Sequence, residues 1–155
     1  MERETIIERS LYINASPEVI WRALTEPELI KLYREGWHVR SLWKRGGPLQ
    51  WIEKVEGVET VKALGELMAF QPGNRLRYTW LDLSTGLPDE PSSYTTVDIS
   101  MQPARDGRTQ LHLWHGDYAG LPQDVRRARE AGKQWVEALV GLKRVAEEQQ
   151  GLMAA

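Results

Sequence analysis

His115 and Asp117 are the residues of this chain best suited to acid–base chemistry. They stand two positions apart in TQLHLWHGDY, so on a continuing strand both side chains lie on one face. The Asp117 carboxylate could then orient the His115 imidazole as a general base of a hydrolase or cyclase. No Ser or Cys elbow motif and no recognisable oxyanion arrangement accompanies the pair. We therefore favour a structural, hydrogen-bonded pair and keep an enzyme as the alternative.

Metal and phosphate chemistry find little support in the sequence. His112 and His115 are three apart, which sends them to opposite faces of a strand, where they cannot share a metal. Gly46 and Gly47 precede a proline and lack the strand-to-helix context of a phosphate loop, so they are turn glycines. We expect no metal site and no cofactor.

The composition limits which partners and which cellular compartment we expect for this protein. The 155 residues suit one domain, 1–155, and the net charge of −2 argues against nucleic acid. Arg126, Arg127 and Arg129 sit among acidic residues, which is typical of a mixed-charge surface. Cysteine is absent, and no apolar run has the length of a signal core or a membrane span. We expect a cytoplasmic protein that does not insert into membranes.

Residues 37–115 alternate between apolar and polar side chains in the manner of an antiparallel sheet with one covered face. Turn sequences such as RGGP, QPGN and RDGR separate the strands. The segment VKALGELMAF alternates poorly, and its inward face stays unassigned. Trp114 alternates with Leu113 and should face away from the core, where an exposed tryptophan would suggest a partner surface or a homodimer contact.

The chain begins with a strand and two short helices. Ile7, Leu11 and Ile13 share one strand face, and Ser16 is a typical N-cap for a helix that starts at Pro17. Residues 25–28 have the spacing of a capping box and predict a second short helix from residue 26. We expect the two helices to close one end of a cupped sheet.

The C-terminal segment has helical periodicity. Its apolar stripe predicts one long amphipathic helix over about 122–149, containing Ala128, Gly132, Trp135, Leu139, Leu142 and Ala146. No helical crossovers join the strands, so the fold class is α+β, with a seven-stranded antiparallel sheet wrapped around this helix. Wherever the twisted sheet and the helix do not touch, a pocket remains.

The order of these motifs resembles the SRPBCC (START-like, helix-grip) superfamily, in the branch related to the C-terminal domain of the activator of heat-shock-protein-90 ATPase. The matching stretches are INASPEVIWRALTEPELI, GELMAFQPGNRLRYTW, TTVDISMQPARDGRTQLHLWHGDY and GKQWVEALVGLKRVAEE. The resemblance implies a helix-grip fold and a cavity for small apolar or amphipathic molecules, and it implies no single reaction. It also raises a chaperone-associated interaction module as an alternative.

We expect a small-molecule binding domain rather than an enzyme. Part of this expectation rests on Gly132, because a glycine within a helix is unfavourable unless a neighbouring group needs the space. Either Gly132 borders a ligand cavity, or a bulky neighbour such as Trp21 or Trp37 packs against it. Trp80 is either a cavity wall or simple core packing. The expected ligand-binding residues are Trp37, Tyr78, Trp80, Val97, Ile99, Leu113, His115, Gly132, Trp135 and Leu139.

Overall fold

The computed structural model describes residues 4–34 and 36–154, and within these ranges seven strands and three α-helices follow one another along the chain. The elements are β1 (Ile7–Ile13), α1 (Pro17–Thr25), α2 (Pro27–Ile30), β2 (Trp37–Arg40), β3 (Pro48–Val55), β4 (Val58–Gln71), β5 (Arg75–Asp82), β6 (Thr95–Pro103), β7 (Thr109–Gly116) and α3 (Asp124–Ala154). Two single-turn 3-10 helices, Leu83–Thr85 and Pro91–Ser93, interrupt the connection between β5 and β6.

The described strands form one seven-stranded antiparallel sheet in the order β1-β7-β6-β5-β4-β3-β2. The first strand returns beside the last, so that Ile7 lies opposite His115 and Leu11 lies opposite Leu111. Alternate residues of β5, β6 and β7 are buried, as the sequence predicts for a sheet covered on one face. The predicted α+β architecture, with a long C-terminal helix against the sheet, is confirmed.

The poor alternation of the fourth strand has a structural cause. The register of β4 shifts against β5 between Leu67 and Ala69, and it shifts against β3 between Trp51 and Ile52. Leu67 is fully buried while Met68 is exposed. A bulge places two residues of one strand opposite one of its partner and breaks the period of two. For this reason no single inward face runs through the whole strand.

The two short helices start where proline permits. Ser16 caps α1, and its side chain accepts a hydrogen bond from the Val19 amide at 3.2 Å, as predicted. The predicted capping box at residues 25–28 is wrong. Glu26 is the N-cap of α2 without a side-chain bond, and the Thr25 hydroxyl instead donates to the Trp21 carbonyl at 2.8 Å. A hydroxyl on the last turn of a helix can bond back to a carbonyl four residues earlier, which removes it from capping.

The long helix begins and ends later than the predicted 122–149, and it is secured at both ends. Near its start Arg127 is buried, which corrects the expectation of an exposed charge there. Near its end, Glu147 accepts the Asn14 amide at 2.8 Å and the Gln150 side chain accepts the Ser16 amide at 3.0 Å. These bonds attach the end of α3 to the turn between β1 and α1. None of the described helices has the length and apolarity needed to cross a membrane.

Candidate functional site

An apolar hollow of about 40 Å3 lies between the inner face of the sheet and the middle of α3. Strands β2, β3, β5 and β6 form its floor, α3 forms its roof, and α1 and α2 with the segments that follow them close its side. This is the place where the cupped sheet predicts a gap. The lining residues are Leu24, Ile30, Tyr33, Arg34, Val39, Trp43, Leu49, Trp51, Leu76, Tyr78, Ile99, Trp135, Ala138, Leu139 and Leu142.

Four of the expected ligand-binding residues border this hollow: Tyr78, Ile99, Trp135 and Leu139. The other six lie elsewhere. Val97 and Leu113 are fully buried in the solid part of the core, and the Trp37 indole N–H donates to Glu53 at 2.9 Å on the β2–β3 pair. Alternation in the sequence predicts which face of the sheet a residue lies on, but it does not predict whether that residue borders the hollow.

Gly132 does not border the hollow, contrary to its expected role. A Cβ atom built there would meet only Ile7 Cγ1, at an ordinary 3.7 Å, so neither Trp21 nor Trp37 needs the space. The glycine that allows a close approach is Gly141, which lies later in the same helix. A Cβ there would lie 2.4 Å from the Cβ of Tyr33. Gly141 thus lets α3 pack directly on the residues after α2.

Aromatic rings form a continuous wall from β3 to α3. Trp51 lies 5.1 Å from Tyr78 and 4.8 Å from Trp80, measured between ring centroids, and Trp80 approaches His115 edge-on at 6.5 Å. His115 in turn meets Trp135 at 6.2 Å and 88°. Tilted and edge-to-face pairs of this kind add packing energy beyond the area they bury. The wall makes one side of the hollow stiff.

His115 sits within this wall as a neutral hydrogen-bonding residue. The Trp135 indole N–H donates to His115 Nδ1 at 2.9 Å, and an indole nitrogen can only donate, so Nδ1 carries no proton. The proton of the neutral ring is therefore on Nε2, which lies 2.8 Å from the Thr95 hydroxyl and 3.2 Å from that of Tyr118. Both ring nitrogens are thus occupied within the core.

The environment of His115 opposes protonation. Burial, helped by the nearby positive charge of Arg127, lowers the pKa of His115 from 6.5 to about 3. Asp117 is exposed, and its carboxylate accepts the Ala119 amide at 2.8 Å. Among the hydrogen bonds of the described residues, none joins His115 to Asp117. The two residues share no acid–base site, because the strand ends at Gly116 and the chain turns outward.

The two strand histidines lie on opposite faces of the sheet, as their spacing predicts. His112 lies on the opposite face from His115, 2.7 Å from the Ser10 hydroxyl and 3.3 Å from a Glu8 carboxylate oxygen. In the part of the chain that the structure describes, no three His, Cys, Asp or Glu residues are grouped to hold a metal ion. Trp114, expected to be exposed, is partly buried on this face, where it lies opposite Glu8 and Asp98 of the neighbouring strands.

Arg34, Tyr33 and Tyr78 give the hollow its polar groups; Tyr78 was expected there, whereas Arg34 and Tyr33 were not among the expected ligand-binding residues. The Arg34 guanidinium lies over the Trp135 ring, 5.6 Å from its centroid. The Tyr33 hydroxyl donates to the Ala23 carbonyl at 2.8 Å. The available signal was a cation placed directly after an inward-facing tyrosine, in LYREGW, between the helical pair and the next strand.

A second, polar cleft of about 400 Å3 lies at the start of α3. Trp80 and Tyr118 form its base, and Arg127 lies beneath it with its guanidinium donating to the Ser93 carbonyl at 2.7 Å and lying 5.1 Å from the centre of the Tyr118 ring. Arg127 is therefore a buried structural cation rather than part of a surface charge cluster. The arrangement joins the helix to the turn before β6.

Comparison with known protein families places the chain in one of them. The model for the family described as Activator of Hsp90 ATPase homolog 1-like protein matches residues 14–147. The chain belongs to this family. The match runs from the turn before α1 into α3 and agrees with the resemblance seen in the sequence. A search of curated proteins found no match.

Solved structures similar to this member of the activator-homologue family share its fold. ChR145 from Cytophaga hutchinsonii is 29% identical over 96% of this chain and 98% of that chain, with a TM-score of 0.74. An Hsp90 activator from Plasmodium falciparum is 20% identical over 84% of this chain and 89% of that chain, with a TM-score of 0.61. DynU16, from the dynemicin biosynthetic locus, is 16% identical over 94% of this chain and 48% of that chain, with a TM-score of 0.71. At the identities of the last two, the likeness shows the fold alone.

Proposed function

We propose that this chain binds a small apolar or amphipathic molecule in the hollow between the sheet and α3. The observation that carries the proposal is the hollow itself, bordered by three tryptophans and closed by helices from outside the sheet. Protein cores normally pack to the density of organic crystals, and 40 Å3 of unfilled volume costs about 1 kcal/mol. A gap kept at that cost, with an aromatic wall, suits a binding site.

The hollow must widen to accept a ligand. Ligand sites usually enclose roughly 300–1,000 Å3, far above the 40 Å3 present here. The element best able to move is the loop at residues 41–47. In that loop Leu42 is 84% exposed, and Trp43 has a positive φ of 52° and stacks on Phe70 at 5.7 Å. The proposed entry route displaces Trp43, while the sheet and the residues after α2 stay in place.

Binding is better supported than catalysis. His115, the expected general base, uses both ring nitrogens inside the core, and burial lowers its pKa to about 3. A general base works best with a pKa near the operating pH. Family membership supports binding as well, since the resemblance noted above implies a cavity for small apolar molecules.

The test is a titration with a panel of apolar and amphipathic molecules, followed by tryptophan fluorescence and by the thermal midpoint. We expect a change in the fluorescence of the hollow's tryptophans and a rise of the midpoint with at least one compound class. Ala138→Leu fills the hollow and should weaken binding at least about tenfold, because it removes the space that the ligand needs. Ala131→Leu is the matched control, since Ala131 is buried on the same helix and borders the polar cleft instead. Equal binding by the two variants, or no response to a broad panel, contradicts the proposal.

A chaperone contact is the second candidate, and family membership favours it. The matching family is named after an activator of the Hsp90 ATPase, and one of the similar solved structures is an Hsp90 activator. A pull-down against the host's Hsp90 at micromolar concentrations tests it. Recovery of the chaperone supports an interaction module, and its absence removes this candidate without affecting the ligand proposal.

A further inference from the structure

Given the proposed binding function, we infer that the ligand is an apolar molecule with one carboxylate group, and that Arg34 and the Tyr78 hydroxyl hold this group at the mouth of the hollow. The inference rests on the charge of the lining, on the placement of Arg34 and on an unused hydroxyl. Each is independent of the identity of the apolar part.

The lining is charged at one point. Of the residues that border the hollow in the described part of the chain, Arg34 alone carries a formal charge, and no carboxylate lies among them. All but Arg34 and the two tyrosines have apolar or indole side chains. A single charge bordering a weakly polar space acts more strongly than one in water. The hollow therefore favours an anion over a neutral molecule and disfavours a cation.

Arg34 is held in position from both sides. Its backbone amide donates to the Ile30 carbonyl at 3.0 Å, and its own carbonyl accepts the Trp37 amide at 2.7 Å. Its guanidinium lies over the Trp135 ring, and that ring is fixed by its hydrogen bond to His115. A guanidinium that lies over an indole face still has N–H groups free to bind a carboxylate with two hydrogen bonds.

The Tyr78 hydroxyl is the unused group. Tyr78 is 4% exposed, and among the described residues its hydroxyl has no hydrogen-bond partner. Because Tyr78 borders the hollow, its hydroxyl is placed to donate a hydrogen bond to a ligand oxygen there. Burial raises the pKa of Tyr78 to about 12, although the charge of Arg34 acts in the opposite direction. At neutral pH the hydroxyl is thus a donor, which matches a carboxylate acceptor.

Tyr33 completes the polar end. Burial raises the pKa of its hydroxyl above the ordinary value, with Arg34 opposing that rise, so this group also stays protonated. Because it already donates to the Ala23 carbonyl, it positions the wall rather than the ligand. The recognising donors are therefore the Arg34 guanidinium and the Tyr78 hydroxyl.

Three probes of equal chain length test the charge preference: octanoate, 1-octanol and octylammonium, titrated at pH 7.5 and followed by calorimetry and tryptophan fluorescence. We expect octanoate to bind most tightly and octylammonium most weakly. Arg34→Gln should weaken octanoate at least about tenfold and change 1-octanol less than about twofold. Arg34→Lys should retain part of the preference, and Tyr78→Phe should weaken octanoate several-fold without altering the fold.

Arg40→Gln is the matched control, because Arg40 is an exposed arginine of the neighbouring strand that pairs with Glu59 at 2.8 Å. It should leave all three affinities unchanged. If 1-octanol binds the natural protein as tightly as octanoate does, and Arg34→Gln changes neither, the inference is overturned and the binding function stands. If no probe binds the natural protein, both are overturned.

Discussion

At the scale of the residue, His115 shows how a titratable group can be made part of a core. Its Nδ1 accepts the Trp135 indole N–H, and its Nε2 meets the hydroxyls of Thr95 and Tyr118. A protonated ring would turn an N–H toward a group that can only donate. Burial and the Arg127 charge oppose the proton as well. The imidazole therefore acts as a neutral bridge between β7 and α3.

This neutral state predicts a loss of stability in mild acid. The pKa of His115 is about 3 when folded and about 6.5 when unfolded, so between these values the unfolded chain binds more protons. The free energy of unfolding should be fully maintained above pH 6.5 and should fall as pH decreases, by about 2 kcal/mol from this residue at pH 5. Urea unfolding at pH 7.5, 6 and 5 measures it.

The control for that experiment separates His115 from the carboxylates. His115→Asn keeps an acceptor near the Trp135 N–H and removes the titration, so its pH profile should be flatter than that of the natural protein even though its stability at pH 7.5 is lower. Both proteins carry the same carboxylates, so the difference between their profiles reports the titration of His115. If the free energy of unfolding falls with decreasing pH by the same amount in the natural protein and in His115→Asn, the role of His115 as a neutral bridge is contradicted.

At the scale of the element, α3 packs through a small residue where it crosses the segment after α2. Gly141 lies against Tyr33, and a Cβ at position 141 would come within 2.4 Å of the tyrosine Cβ. At position 132 a Cβ would meet only Ile7, at a normal contact distance. The two glycines share a helix and differ in what lies opposite them.

The pair of glycines makes a controlled prediction. Gly141→Ala should lower the free energy of unfolding by about 1–3 kcal/mol, because the added methyl group forces the helix away from Tyr33. Gly132→Ala should raise it by up to about 0.5–1 kcal/mol, since alanine is the better helix former and the space is open. Chemical denaturation of both variants measures the difference. Equal effects of the same sign would contradict this account of the packing.

At the scale of the whole molecule, the sheet and α3 are joined firmly on one side and leave the hollow on the other. Val97 of β6 and Leu113 of β7 lie in the solid core, and the aromatic wall reaches from Trp51 of β3 to Trp135 of α3. The short strand β2 borders the hollow and has only four register pairs with β3 in the described chain. The part able to move is the loop at residues 41–47, which follows β2.

Hydrogen exchange should report that division. In the free protein we expect slow exchange in β5 to β7 and faster exchange over residues 41–47, where backbone hydrogen bonds are fewer. Saturating octanoate should slow exchange at residues 41–47 and in the middle of α3, because the ligand fills the space beside them. Peptides over residues 82–85 and 118–127, near the polar cleft, serve as the internal control. Protection confined to those peptides would place the ligand in the cleft.

Local patterns were sufficient for the elements and for the direction of many side chains. Alternation in β5, β6 and β7 correctly placed Tyr78, Ile99 and His115 on the covered face, because side chains of a strand alternate whatever lies opposite. The Ser16 cap and the helical period of α3 were likewise local. The order of the motifs along the chain was also enough to identify the family.

The tertiary structure decided which of the inward residues border a gap and which are packed solid. That distinction depends on the separation between the helix and a twisted, bulged sheet, and no local period encodes it. It placed Arg34 among the residues that border the hollow, made Gly141 rather than Gly132 the point of close approach, and buried Arg127. Sequence alone determined that this chain is a sheet holding a helix; the distances across the space between them determined where a ligand could fit.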